Sequence, residues 1–152
     1  MTTLTHSYRV WIKAPPEAVF AYVSDLARHP EWSGASLSIK PLSPGPVAVG
    51  KEYDSQGDGA GQKDRPNRVR VTELQPPSRF AFTASDPGFG EVPHTFTFTP
   101  QDGGTLLDRT VVLNLPPLTA LAFQVFIRPL IGKPLMDKSL ARLKARLEAA
   151  AS

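Results

Sequence analysis

Two polar side chains fall within the apolar alternation of neighbouring strand-like segments, and they are the chain's best candidates for chemistry. His94 shares its alternation with Phe96, and Arg109 shares its alternation with Val111. A guanidinium on the inner face of a sheet must pair with an acid or meet an anionic or carbonyl-bearing ligand. We therefore expect Arg109 to orient a ligand carboxylate, phenol or ketone oxygen. His94 would be its hydrogen-bond or proton-transfer partner and is a weak candidate for a catalytic residue.

The dipeptide Asp102-Gly103 between these segments is a hairpin signal. A tight turn there would place Arg109 nearly opposite Phe96 and His94 nearly opposite Val111. The two polar residues would then be diagonal neighbours, roughly 7–8 Å apart at the backbone and within reach of each other through their side chains.

Two alternatives for this pair stay open at the level of sequence. Arg109 could simply pair with a nearby acid such as Glu91, or a bulge could turn it outward. His94 follows Pro93 near the start of its segment and could lie at the rim of the site.

The same alternation predicts an apolar inner face that would contact a ligand. Its expected ligand-binding residues are aromatic and come from three strand segments: Tyr53, Phe80, Phe82, Phe96 and Phe98. Trp32, in a short helical turn, is a further candidate contact, although a tryptophan in such a turn is more often a packing anchor.

Other kinds of chemistry are disfavoured. The chain has no cysteine, which excludes disulfides, thiolate metal sites and a cysteine nucleophile. Asp25 and His29 are spaced i, i+4 but have no evident third ligand, so we expect no metal site and no cofactor. No Gly-x-Ser-x-Gly occurs, which disfavours a hydrolase triad. His6 and His29 are expected to be exposed, and glycine-rich residues 57–65 are expected to form a flexible loop or a lid.

The elements that must position the pair are mostly strands. Alternation predicts strands over residues 7–13, 37–39, 50–56, 68–74, 79–85, 92–99 and 106–115. Pro15 and Pro16 end the first strand and suit a helix start. A second short helical turn is expected over residues 29–32.

The chain after Pro116-Pro117 is expected to be helical to its end. One apolar stripe recurs at helical spacing, through Met136, Leu140, Leu143 and Leu147. The stretch from Leu118 to Ile131 is apolar nearly all round, which indicates burial on several sides or cover by an apolar partner. Pro129 and Pro134 should kink or break the helix.

This order of elements predicts an α+β fold, with residues 1–152 as a single domain. A curved seven-stranded antiparallel sheet would surround a long C-terminal helix, with two short helices after strand 1. Because one helix cannot easily fill the concave face, a cavity should remain between the two. The net charge of +3 is small and its basic residues lie at helical spacing, so no nucleic-acid partner is expected. With no integral membrane segment and no signal peptide evident, a cytoplasmic location is expected.

Several stretches resemble a known superfamily. They are residues 10–20, Val23-Ser24-Asp25, His29-Pro30-Glu31-Trp32, Gly103-Gly104-Thr105 and residues 140–144. In this order and spacing they resemble the polyketide cyclase/dehydrase-like proteins of the START-like superfamily (SRPBCC, Bet v 1-like), over nearly the whole chain. The resemblance implies a helix-grip fold with a hydrophobic cavity, in a superfamily that includes aromatase/cyclases, lipid carriers and hormone receptors.

Three functions follow as hypotheses. The first is binding of a small hydrophobic ligand, such as a lipid, an isoprenoid or an aromatic polyketide, because the inner face is apolar with few polar groups. The second, implied by the resemblance, is a polyketide cyclase/aromatase-like enzyme that uses the same cavity and moves a proton through His94 or Tyr53. The third is an interaction or homodimerisation module that docks the apolar segment Leu118 to Ile131.

Overall fold

The computed structural model describes residues 1–34, 37–59, 62–86 and 89–151, with side chains described outside residues 58–66. These residues include seven strands: β1 (Thr2–Ile12), β2 (Leu37–Pro41), β3 (Glu52–Gly59), β4 (Gln62–Gln75), β5 (Arg79–Asp86), β6 (Gly90–Gln101) and β7 (Gly104–Leu115). They form one antiparallel sheet in the order β1-β7-β6-β5-β4-β3-β2. Shifts of register between β3 and β4 and between β4 and β5 are bulges, which bend a sheet.

The hairpin between β6 and β7 has the predicted register. Asp102 and Gly103 have positive φ angles of 50° and 76°, which is the type I′ geometry that suits a two-residue hairpin loop. Phe96 therefore lies opposite Arg109 and His94 lies opposite Val111, as predicted from the sequence.

Helices cover one face of this sheet. They are α1 (Pro16–Ser24), a 3-10 helix (Leu26–Glu31), α2 (Pro117–Ala122), a π-helical segment (Phe123–Gly132) and α3 (Lys133–Ala151). The helix start at Pro15-Pro16 is confirmed, because Pro15 is the N-cap of α1. The architecture of a seven-stranded antiparallel sheet with two short helices after β1 and a long C-terminal helix is confirmed.

Two local predictions are wrong. Residues 57–65 are not a loop, since β3 continues to Gly59 and β4 begins at Gln62, and only residues 60–61 lie outside the described part. The predicted break of the C-terminal helix at Pro129 or Pro134 is the other, whereas a kink there stays a prediction. Pro129 lies inside the π-helical segment, where hydrogen bonds skip one residue more than in an α-helix, and Pro134 lies in α3, which continues that segment directly.

The core lies between the sheet and these helices. The predicted stripe of α3 is confirmed, with Leu140, Leu143 and Leu147 buried and Met136 packed against them. On the other side Phe20 of α1 packs edge-on against Phe98, with ring centroids 5.1 Å apart. The packing leaves space on the concave face, beside Arg109 and His94.

Candidate ligand-binding site

Two adjoining pockets occupy the concave face. The first, of about 190 Å³, lies between the 3-10 helix and strands β2 to β7 and has His29, Phe82 and Arg109 in its wall. The second, of about 210 Å³, lies between the sheet and the C-terminal helices. Its wall is largely apolar and includes Val92, Val111, Leu113, Phe123 and Met136. Both pockets share part of their wall: Asn67, Ala84, Asp86 and His94.

Arg109 is the most unusual side chain of the first pocket. The alternation of β7 turns it inward beside Phe96, and only 4% of its surface is exposed. Its Nη2 donates a hydrogen bond of 3.1 Å to Nδ1 of His94. Its guanidinium carbon lies 5.1 Å from the ring centroid of Phe96 and 5.9 Å from that of Trp32, within the range of cation–π contacts.

No carboxylate compensates this charge among the residues described. Arg109 forms no ion pair there, and its Nε has no hydrogen-bond partner. The alternative in which Arg109 pairs with Glu91 is wrong, because Glu91 is exposed and accepts a hydrogen bond of 3.1 Å from Ser85 Oγ. The outward-turned alternative is also wrong, since no register shift occurs between β6 and β7.

The charges of the site follow from burial. Burial lowers the pKa of Arg109 to about 10, so the guanidinium remains a cation at neutral pH. Burial, with the charge of Arg109, also lowers the pKa of His29 to about 3. The pKa of His94 is held well below its ordinary value by burial, then by Arg109 and His29. At neutral pH these three side chains are therefore one cation and two neutral imidazoles.

The hydrogen bond to Arg109 fixes the tautomer of His94. A guanidinium only donates, so Nδ1 must be the accepting nitrogen and the proton of this neutral ring is on Nε2. The one basic lone pair of the imidazole is thus occupied. His94 can donate a hydrogen bond to a ligand, but it is not placed to act as a general base.

His29 and His6 are not exposed, contrary to expectation. His29 stacks on Trp32 with ring centroids 4.2 Å apart, because residues three apart in a 3-10 helix eclipse each other. His6 is half-buried in the wall of the second pocket, stacked 6.4 Å from Phe123. β1 begins at Thr2, earlier than predicted, so His6 continues the inward alternation of Tyr8.

The predicted aromatic contacts divide into two groups. Phe82 lines the first pocket and stacks on His94, with ring centroids 4.7 Å apart. The others are buried but line neither of the two pockets: Tyr53, Phe80, Phe96, Phe98 and Trp32. Alternation correctly predicts that these rings face inward, but it does not distinguish a packed core from a pocket wall.

Asn67 and Asp86 are wall residues that the sequence analysis missed. The Oδ1 atom of Asn67 is buried without a hydrogen-bond partner in the described structure, and Asp86 Oδ1 accepts a hydrogen bond of 2.9 Å from the backbone N–H of Phe89. Their signal was present in the sequence. Asn67 has the parity of Val69, and Asp86 has the parity of Phe82 and Ala84.

The helical segment after β7 is only partly covered. Ala120 is buried, whereas six apolar side chains are exposed: Leu118, Leu121, Val125, Phe126, Leu130 and Ile131. A docking role for this segment, including homodimerisation, stays a prediction. None of the described helices is long and apolar enough to cross a membrane. The described residues also contain no group of three or more side chains suited to hold a metal ion.

Comparison with known proteins places this geometry in a wider context. Residues 1–148 match the model of a family described as polyketide cyclase / dehydrase and lipid transport. No curated protein matches the sequence.

Solved structures share the fold at low sequence identity. The protein TTHA0849 from Thermus thermophilus is 20% identical, with a TM-score of 0.75 over 98% of this chain and 100% of the other. Ara h 8.0201 is 14% identical, with a TM-score of 0.68 over 97% of this chain and 99% of the other. The di-domain ARO/CYC StfQ from the steffimycin biosynthetic pathway is 13% identical, with a TM-score of 0.76 over 98% of this chain and 52% of the other. These similarities show the Bet v 1-like helix-grip fold.

Proposed function

The chain belongs to the polyketide cyclase / dehydrase and lipid transport family, and we propose from this premise that it binds a small hydrophobic molecule in the two adjoining pockets. The observation that carries the proposal is the largely apolar second pocket between sheet and C-terminal helices, joined to a first pocket that has Arg109 and His94 in its wall. Together the pockets fall within the roughly 300–1,000 Å³ typical of small-molecule sites.

The apolar part of the ligand would lie in the second pocket. Val111, Leu113 and Phe123 offer aliphatic and aromatic surface there, and His94 lies at the shared wall. Burying apolar surface in such a pocket stabilises a complex without strict selection of shape, whereas the few polar groups fix orientation. A lipid, an isoprenoid or an aromatic polyketide has this character.

The test uses two neighbouring valines of β7. Val111 faces the second pocket and Val112 the opposite side of the sheet. Val111→Phe would fill the pocket and should weaken binding of the uncharged fluorescent probe N-phenyl-1-naphthylamine by about tenfold or more. Val112→Phe should bind the probe like the wild type. Equal affinity of the wild type and Val111→Phe would contradict the proposal, as would native mass spectra of cell-purified protein that never show a bound lipophile.

Cyclase-like catalysis in the same pockets is the second candidate. The Arg109–His94 hydrogen bond supports it, since Arg109 could polarise a carbonyl while the pocket holds a reactive chain folded. The lone pair of His94 Nδ1 already accepts a hydrogen bond from Arg109, which disfavours a mechanism that needs His94 as a general base. Mass spectrometric detection of a cyclised product from a poly-β-keto thioester, lost in Arg109→Gln, would support catalysis, and unchanged turnover in that variant would exclude this role for Arg109.

A further inference from the structure

Arg109 differs from the arginines at the surface in what surrounds its charge. Several surface arginines meet carboxylates within 3.1 Å: Arg9 with Asp108, Arg28 with Glu31, Arg68 with Glu52 and Asp54, and Arg79 with Glu73. Water screens these surface pairs, which contribute little to stability. A buried arginine needs a counter-ion more than a surface one does. Arg109 is buried and meets no carboxylate within ion-pair distance among the described residues.

The groups around this guanidinium are donors or are already engaged. Within the described part of the chain, Arg109 Nε has a proton and no acceptor, and Nε2 of His94 has the ring proton. The carboxylate of Asp86 lies in the same pocket wall, where its Oδ1 accepts from the backbone N–H of Phe89, and among the described ion pairs it has none with Arg109. Burial lowers the pKa of Arg109, and Tyr8 opposes that shift only in part and contributes no carboxylate. The pocket thus presents positive charge and N–H groups that an anionic oxygen would complement.

We propose that the ligand is a hydrophobic acid, whose carboxylate binds Arg109 in the first pocket while its apolar part lies in the second. This inference rests on the proposed function and narrows it to one class of ligand. A carboxylate is the anion that matches a guanidinium best, because its two oxygens can accept two N–H groups side by side. The adjoining apolar pocket would hold the rest of the molecule, which separates this site from one for a small hydrophilic anion.

The acid and the alcohol of one chain length provide the test. Isothermal titration calorimetry at pH 7 would compare decanoate with decan-1-ol, which differ in charge and share the alkyl chain. The wild type should bind decanoate at least about tenfold more tightly, since an unscreened ion pair with hydrogen bonds is worth more than a neutral hydrogen bond. Arg109→Gln should lose this preference and still bind decan-1-ol, whereas Arg109→Lys should keep part of it.

Two further arginines make the experiment specific. Arg79→Gln removes a surface arginine of β5 and should leave the preference unchanged. Arg128, whose guanidinium lies 5.6 Å from the ring centroid of Tyr8, is a rival cation near the second pocket. If Arg128→Gln abolishes the preference and Arg109→Gln does not, the assignment to Arg109 is overturned.

The outcomes separate this inference from the proposed function. Equal affinity of the wild type for decanoate and decan-1-ol would overturn the acid and leave hydrophobic binding intact. Binding of neither would overturn both. A circular dichroism spectrum like that of the wild type, together with retained binding of decan-1-ol, shows that Arg109→Gln is folded and makes its loss of preference attributable to the missing charge.

Discussion

Replacing Arg109 by methionine should stabilise the unliganded protein, although it removes a buried hydrogen bond. Methionine is flexible, has similar length and adds no charge, so it can fill the same space beside Phe96. If Arg109 serves a ligand and has no structural counter-ion, its charge lowers the stability of the empty protein, and its removal should raise the free energy of unfolding.

The magnitude follows from the site's electrostatics. Burial lowers the pKa of Arg109 to about 10, and since one pKa unit corresponds to ~1.4 kcal/mol, holding this cation inside costs about 3 kcal/mol. Loss of the hydrogen bond strands Nδ1 of His94, which costs about 1–2 kcal/mol. We therefore expect Arg109→Met to raise the free energy of unfolding by about 1 kcal/mol. The double variant with His94→Phe, which also removes the stranded acceptor and can stack on Phe82, should gain about 2 kcal/mol.

Urea unfolding at pH 7, followed by circular dichroism, measures these differences. Arg79→Met is the control, because its exposed ion pair with Glu73 should contribute no more than about 1 kcal/mol and its loss cannot stabilise by relief of burial. Breaking a buried ion pair typically destabilises by about 3–5 kcal/mol. A loss of that size in Arg109→Met would show that a carboxylate already neutralises the charge, and the reasoning about a ligand anion would be refuted.

Three other predictions concern acid, packing and the exposed helical face. Burial lowers the folded-state pKa of His29 to about 3 and holds that of His94 well below its ordinary value, so the stability that the neutral rings contribute is complete above pH 6.5 and is lost as the pH falls below it. Urea unfolding should show up to ~1.4 kcal/mol lost per pH unit for each histidine, with a flatter profile in His94→Gln, and equal slopes would contradict this origin. Gly104→Ala should destabilise the protein by several kcal/mol, because its Cβ would lie 2.4 Å from a backbone oxygen. Gly132→Ala should unfold at a slightly higher temperature, because the nearest neighbours of its Cβ would be 3.9 Å away. Thermal scans that rank the two variants the other way would contradict the close packing inferred around Gly104. Phe126→Ser should change the free energy of unfolding by less than about 0.5 kcal/mol because 63% of Phe126 is exposed, and a larger loss would mean that the face is covered in solution.

Alternation and turn chemistry were sufficient to predict the sheet. The Asp102-Gly103 turn fixed the pairing of β6 with β7, and the pairing of Phe96 with Arg109 followed from it. Strand ends were less accurate, since β4 begins six residues before its prediction. Its early part, residues 62–67, has charges and a proline in place of apolar alternation, and pairing with the adjacent strand β3 determines its structure.

The site itself could be predicted only in part. The alternation of the strands predicts that Arg109 points inward and contacts His94, because both features depend on one turn and two neighbouring strands. The sequence did not predict that His29 lines the same pocket. That position depends on how the 3-10 helix packs against Trp32 and the far side of the sheet. Which aromatic rings line a pocket also depends on the path of the C-terminal helix, and no local pattern encodes that path.

The position of Arg109 is itself an argument for binding. A leucine at this place would continue the alternation of β7, fill the space beside Phe96 and remove a cost of about 3 kcal/mol. A charged residue at a position where the strand pattern favours an apolar one is expected where function outweighs stability. His29 and His94, which neighbour Arg109, do not form an acid–base pair with it. Both imidazoles are neutral at pH 7, and the basic lone pair of His94 already accepts the hydrogen bond from Arg109. A buried cation beside an apolar pocket is suited to hold an anion-bearing hydrophobic molecule, which is the role proposed for it here.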